Sequence, residues 1–362
     1  MKHREGKDQP NERKTFGIVH IAILTLTVLS LQTSCSFVSI KEKKNQTYTN
    51  PVGDSIRMGD PFVMLHNSTY YLYDTAGGDG FKCWSSKNLK DWTYQGYAFK
   101  ETPDSYGESS YWAPEIIHFN DKFYMTYSCK AKRSATGDTM LICLAESDSP
   151  TGPFIDKYAP WIDQGYSCID ANIFVDDDST PYVYFNKVGY NGKWPDGHMF
   201  GIIYVMELDK YTLETIGDTI RIVEAEQEWE NPYSDFSRCN EGAFVLKHKD
   251  KYYITYSANH WAAPNYGIGY ATADHPYGPW IKSNQNPILG QDSLKGFFGF
   301  VHNPFTPSPD GKELFIVYHT HESHENKART VNIDRVDFNE FGELIVKGPT
   351  RIPQALPSGV VD

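Results

Sequence analysis

The stretch "NEGAFVLKHKDKYYITYS", residues 240–257, decides how the rest of the chain is read. It has the form of a β-hairpin: an apolar run, a Lys/Asp turn, then a run rich in tyrosine and β-branched residues. At its head stands a carboxylate, Glu241, followed at once by Gly242. Four other stretches share the form: "DPFVMLHNSTYYLYDT" from Asp60, "APEIIHFNDKFYMTYS" from Ala113, "DANIFVDDDSTPYVYF" from Asp170 and "HNPFTPSPDGKELFIVYH" from His302. From each head to an aligned tyrosine (Tyr73, Tyr127, Tyr184, Tyr256, Tyr318) the distances are 13, 14, 14, 15 and 16 residues. One hairpin is used five times.

Successive heads are 53, 57, 71 and 61 residues apart, the length of a four-stranded sheet with its loops. Outer segments repeat as well: "ESDSPTGPFI" from Glu146 and "TADHPYGPWI" from Thr272 lie 126 apart, close to the 128 between Ala113 and Glu241. No amphipathic helix of twelve residues or more interrupts the pattern. This period predicts an all-β, five-bladed β-propeller over residues 51–362, with four antiparallel strands per blade. A two-domain β-sandwich, the structural alternative, would not generate fivefold spacing.

The 362 residues are 40% hydrophobic and 15% aromatic, enough for a sizeable core. A formal charge of −12 with no basic stripe argues against nucleic acid and favours neutral or cationic partners. The N-terminal segment stands apart. Charged "MKHREGKDQPNERK" precedes the 16-residue apolar run "FGIVHIAILTLTVLSL" and then "QTSCS". Residues 1–35 therefore resemble a signal peptide of the lipoprotein type, with Cys35 lipidated after cleavage, followed by a polar tether at 36–50. In the alternative, Cys35 is incidental to an ordinary cleaved signal and the protein is periplasmic or secreted. Either way the expectation is export. The five remaining cysteines are odd in number, contain no CxxC pair and read as buried free thiols.

In a propeller the innermost strand of each blade runs along the central axis, so residues at the strand heads project into one funnel. Asp60, Asp170, Glu241 and His302 should converge there. Three crowded carboxylates raise at least one pKa, and perturbed acids in a concave site mark acid–base chemistry.

The order of "GDPF", "YWAPEI", "IDANIFVDDDSTPY", "NEGAFVLKHKDKYYITYS" and "VHNPFTPSPDGKELFIVYH" resembles glycoside hydrolase family 43, five-bladed propeller enzymes of arabinose- and xylose-containing polysaccharides. The resemblance covers essentially all of residues 51–345. It implies that Asp60 is the general base, Glu241 the general acid, and Asp170 the carboxylate that orients Glu241 and, as an anionic neighbour, raises its pKa. An inverting glycosidase needs such a set: an acid for the leaving oxygen and a base for water on the opposite face of the sugar.

The resemblance also implies one calcium ion near the channel centre, with His302 contributing directly or through water. The alternative for His302 is a hydrogen bond to substrate or to a catalytic carboxylate. Trp112, just before a strand head, offers an aromatic face to a sugar ring, or packs in the core. Arg329 is expected to reach the sugar near the acid, with Arg335 its rival on the same strand parity. Glu115 reads as a structural hydrogen-bonding partner, and Asp176, Asp177 and Asp178 as a solvated hairpin turn. His319, His321 and His324 in "YHTHESH" suggest zinc, but read better as a polar loop start.

The function expected is thus release of terminal α-L-arabinofuranosyl, or β-D-xylosyl, residues from plant polysaccharide. The family's xylosidases often add a C-terminal β-sandwich, and the chain ends about where the propeller does, which favours the arabinofuranosidase. Endo-arabinanase action is an alternative within the family. A carbohydrate-binding propeller without catalysis is the rival from another class, and it has no need of three axial carboxylates.

Overall fold

The computed structural model describes residues 46–53, 56–75, 78–131, 140–188, 201–233, 238–261, 263, 265–323 and 325–360. The leader, Cys35 and His324 lie outside these residues, as does the tether as far as residue 45.

Five antiparallel sheets follow one another along the chain, each built from strands in consecutive order. Their innermost strands are Gly59–His66, Gly107–Phe119, Cys168–Val175 and Asn240–His248, with the pair Phe298–Val301 and Phe305–Pro307 in blade V. This is the five-bladed propeller that the repeat predicts. Position within a blade explains the composition of each strand. The second strand of blade III, Pro181–Lys187, is buried along nearly its whole length and reads as a continuous apolar run. The outermost strand of the same blade, Thr215–Val223, is mostly exposed and carries Asp218 and Arg221.

Among the described residues the core lies between blades, in five large clusters and a small sixth one. Phe62, Phe81, Tyr111 and Met125 join blades I and II, whereas Ile142, Val183 and Phe185 join II and III. Val205 with Ile254, Tyr270 with Ile316, and Val63 with Val317 continue the series round to blade I. The aligned tyrosines are all fully buried. Buried hydroxyls need partners, and the repeats supply them: Tyr73 donates to Pro150 O at 2.5 Å and Tyr184 to Pro276 O at 3.0 Å, each in the following blade. The outer "SPTGP" and "HPYGP" turns recur because they receive these hydroxyls.

The first described residues clasp blade V and the C-terminal segment. Thr47–Tyr48 pairs with Gln354–Ala355, and Asn50 exchanges hydrogen bonds with the backbone of Ile333 in blade V at 3.0 and 2.9 Å. Residues 46–50, assigned to the tether by composition, thus belong to the fold. Tyr48 and Asn50 make the difference, since both are buried by the blade they clasp.

One irregularity positions everything that follows. Each innermost strand is bulged near its head; in blade I, for example, Gly59 pairs with Thr75 but Phe62 with Tyr73. Equivalent shifts occur between Trp112 and Glu115, between Ile169 and Asn172, and between Glu241 and Phe244. The first residue of each bulge has positive φ: Asp60 44°, Ala113 46°, Asp170 57°, Gly242 60° and His302 53°. Non-glycine residues pay for this backbone, and such strain persists where the surroundings over-determine it. The repeat expected Glu241 at this place in blade IV. The register puts Gly242 there, 14 residues before Tyr256 as in blades II and III, and Glu241 at the paired position one residue earlier.

Candidate active site

The bulges would leave backbone N–H groups unpaired at the axis, and four of the five have side-chain acceptors from a neighbouring blade. Asp60 N–H donates to His319 Nδ1 at 3.0 Å, Ala113 N–H to Thr75 Oγ1 at 2.7 Å, Asp170 N–H to Ser128 Oγ at 3.0 Å and His302 N–H to Ser257 Oγ at 3.1 Å. In blade IV the Gly242 backbone acts on the Asp170 carboxyl, lowering its pKa against the rise from burial.

This ring floors a pocket of about 510 Å³. Asp60, Asp170 and Glu241 all line it, as do Trp112, His302 and Arg329. The six residues singled out in the sequence, taken from all five blades, are brought together.

The three acids meet different surroundings. Burial alone would raise the pKa of Asp60; His302, Arg329 and His319, with a hydrogen bond from Thr75, bring it down to about 2. His302 Nε2 is 3.3 Å and Arg329 Nη1 3.7 Å from Asp60 Oδ1. Burial also holds both imidazoles below their ordinary pKa, so near neutral pH they are neutral and Arg329 is the cation that balances Asp60. His319 must be neutral in any case, because its Nδ1 accepts the Asp60 N–H.

Glu241 is pushed the other way. Desolvation raises its pKa to about 7, against the lowering effect of a hydrogen bond from Tyr266, with the Asp60 charge adding to the rise and the Cys239 thiol opposing it. Asp170 is raised well above the carboxyl range by burial first, then by Glu241, Asp60 and Glu115. The resemblance leads to the expectation of Asp170 as a fixed anion that raises Glu241; its own carboxyl is instead raised by burial and by Glu241 and Asp60, and the rise at Glu241 comes first from burial, while Asp60 is the acid held down beside Arg329. One acid stands ionised and a second protonated in the same pocket, the pairing that acid–base catalysis requires.

Trp112 lines the pocket and also packs against Met140, Ile169 and Val188, so both readings of it apply. Arg335 lies elsewhere, pairing with Glu313 at 2.7 Å and lying 5.0 Å from the Phe315 ring. Glu115 accepts from Asn172 Nδ2 at 2.7 Å outside the pocket, where burial raises its pKa to about 8. Asp176 is less solvated than expected, since Lys247 and the Tyr252 hydroxyl hold it at 2.8 and 2.5 Å. The five described cysteines are free and buried.

Among the described residues, no three His, Cys, Asp or Glu side chains are grouped to hold a metal ion. His319 instead caps Asp60, and His302 turns Nε2 to the same carboxylate. Calcium takes six to eight oxygen ligands, which these residues do not provide. They do not fit a protein-held calcium ion, and no step is routed through one.

Three residues of the site escaped the sequence reading. Tyr266 donates to Glu241 Oε1, the Cys239 thiol lines the same pocket and lowers the Glu241 pKa, and Trp261, 52% exposed, stands at the pocket wall with His260 and Lys327. Trp261 and Tyr266 belong to the connection between the second and third strands of blade IV, which opens on the same face as the strand heads. An aromatic residue in such a connection was the available signal.

The family model for glycosyl hydrolases family 43 matches residues 48–343. A crystal structure of a thermostable family-43 glycoside hydrolase is 47% identical, covers 86% of this chain and 100% of its own, and superposes with a TM-score of 0.81. Among curated relatives, the β-D-galactofuranosidase xynD of Aspergillus niger is 29% identical over 79% of this chain and 81% of its own. The β-xylosidase of Xylanibacter ruminicola is 26% identical over 70% of this chain and 89% of its own. The chain belongs to glycosyl hydrolase family 43 and is a glycoside hydrolase of carbohydrate substrates.

Proposed function

We propose that the enzyme removes terminal α-L-arabinofuranosyl residues from plant polysaccharides or oligosaccharides, with inversion at the anomeric carbon. The observation that carries the mechanism is the unequal state of the acids lining one pocket: Asp60 ionised beside Arg329, Glu241 protonated to about pH 7. Glu241 donates its proton to the glycosidic oxygen as the bond to the anomeric carbon breaks. Asp60 takes a proton from the water that attacks the opposite face, leaving a hemiacetal of inverted configuration. Asp170 lines the pocket with Glu241 and orients that acid. Arg329 pairs with Asp60 and reaches the sugar hydroxyls, and Trp112 offers its ring to the sugar.

The relative from A. niger supports a furanoside substrate. β-D-Galactofuranosides and α-L-arabinofuranosides share ring configuration and differ in the substituent on C4. The β-xylosidase relative supports the second reading, a terminal β-D-xylosyl residue. The apolar run before Cys35 supports export, with Cys35 as lipid anchor at the cell envelope.

Glu241→Gln and Asp60→Asn test the roles. On oligosaccharides each should lose about 10²–10⁴-fold in kcat. On aryl glycosides with activated leaving groups Glu241→Gln should recover much of its rate, whereas Asp60→Asn should not. A non-catalytic binding propeller would release no sugar as wild type and would keep its glycan affinity in both variants. A panel of arabino- and xylo-oligosaccharides decides the sugar.

A further inference from the structure

Glu241 is the acid that burial makes available, yet it accepts a hydrogen bond from Tyr266, and the Cys239 thiol nearby also lowers its pKa. Tyr266 lies just before the third strand of blade IV, Gly267–Ala273, and is fully buried. Its place is fixed by Asn259, whose Nδ2 donates to Asn265 O at 3.0 Å and whose N–H donates to Cys239 O at 2.9 Å. Cys239, Asn259 and Tyr266 thus form one row across the sheet, immediately behind Glu241. From that row the Tyr266 hydroxyl reaches Glu241 Oε1, and the Cys239 thiol lowers the pKa of the same carboxyl.

We propose that Tyr266, supported by Cys239, is a positioning residue for the proposed acid: by donating to Oε1 it leaves the transferable proton on Oε2, and it stabilises the carboxylate that forms when this proton departs. The inference rests on the reading of Glu241 as general acid. A carboxylic acid carries its proton on one oxygen, and an oxygen that already accepts a strong donor is the poorer place for it. During glycosidic cleavage the Oε2–H proton passes to the leaving oxygen, Glu241 becomes anionic, and the Tyr266 hydrogen bond becomes charge-assisted. Its contribution therefore grows towards the transition state, which is the kind of interaction that raises kcat and leaves KM alone.

Other titratable groups surround Glu241. Lining the same pocket are Asp60 in blade I, Asp170 in blade III, His260 in blade IV, and His302, His319, Lys327 and Arg329 in blade V. Of the blade V groups, the imidazoles are neutral near pH 7 and Arg329 is matched to Asp60. Tyr266 and Cys239 are the side chains that lower the Glu241 pKa and so favour its charged form. The Tyr266 phenol is itself raised well above its ordinary value by burial and by Glu241, so it stays a donor across the working range.

The test is the titration of Glu241 in Tyr266→Phe, followed by carboxyl ¹³C NMR with the signal assigned through Glu241→Gln, alongside kinetics on substrates of graded leaving-group ability. The Glu241 titration and the alkaline limb of kcat should both move up by about one pH unit. kcat should fall roughly 10- to 100-fold on oligosaccharides, with KM changed less than twofold and a smaller loss on activated aryl glycosides. Cys239→Ser should shift the limb less. Should Tyr266→Phe fail to fold, difluorotyrosine at position 266 keeps the shape with a more acidic phenol, and the limb should move down. An unmoved Glu241 titration, or an equal loss on all leaving groups, would overturn the proposal. The NMR readout separates this outcome from failure of the enzymatic reading, because it needs no turnover.

Discussion

Arg329 Nη1 stands 3.7 Å from Asp60 Oδ1, and the guanidinium lies over Gly59, where an added Cβ would fall 2.2 Å from Cζ. The residue before the proposed base is thus a glycine because the cation that keeps the base ionised occupies the space of its side chain.

Replacing Arg329 by Met should raise the pKa of Asp60 from about 2, since burial then acts with fewer opposing charges. The acidic limb of kcat/KM should move to higher pH by one unit or more. Gly59→Ala should reproduce much of this effect by displacing the guanidinium. Measuring the two pH profiles together checks the relationship; a Gly59→Ala enzyme with the wild-type profile would contradict it.

Glu241 couples activity to stability with a definite sign. Its folded pKa is raised from 4.5 to about 7, so the folded state binds a proton that the unfolded chain has already released. Stability is therefore lost as pH rises through this window. Glu241→Gln removes the term and should stabilise the protein by roughly 1–3 kcal/mol at pH 8 and by little at pH 4.5. Thermal melts at the two pH values measure the difference, and equal effects at both would contradict the assignment.

The axial ring of backbone hydrogen bonds should carry both fold and function. Ser128→Ala leaves the buried Asp170 N–H without its acceptor and should cost about 1–3 kcal/mol. Because Asp170 lines the pocket with Glu241, kcat should fall as well, although Ser128 is not among the residues lining it. Ser85→Ala, on an exposed outer strand pair, is the comparison; its melt and kcat should match wild type.

Trp261 exposes half its surface at the pocket wall, beside the half-buried Lys327. Trp261→Ala should raise KM for oligosaccharides by roughly 5- to 20-fold through loss of ring stacking, with kcat nearly unchanged. Oligosaccharides of increasing length should show the effect growing until the site Trp261 contacts is filled.

Much of this architecture was legible because it repeats. Asp60, Asp170 and His302 could be aligned across hundreds of residues since each begins the same bulge in its own blade. Glu241 was found by chemistry, one place out of register, because a repeat of side chains does not reveal which residue carries the positive φ; Gly242 carries it. The electrostatic assignment was only half readable. An ionised Asp60 and a protonated Glu241 could be expected, but not that Arg329 would pair with Asp60 or that the Asp170 carboxyl would itself be raised. Tyr266 and Trp261 sit in a connection between strands rather than at an aligned strand position, and His319, which reads as the start of a loop, lies in a strand with its Nδ1 on the Asp60 N–H. Contacts made once, by connections between strands, leave no period to read.

Glu241 and Asp60 are assigned to opposite faces of the sugar, and the anomer first released reports on both at once. The most direct measurement is ¹H NMR of the anomeric signals during the first minutes of hydrolysis of an α-L-arabinofuranosyl oligosaccharide, before mutarotation. A first product of β configuration, relaxing later towards the equilibrium mixture, is the result expected. A first product of retained α configuration would contradict the roles given to both residues.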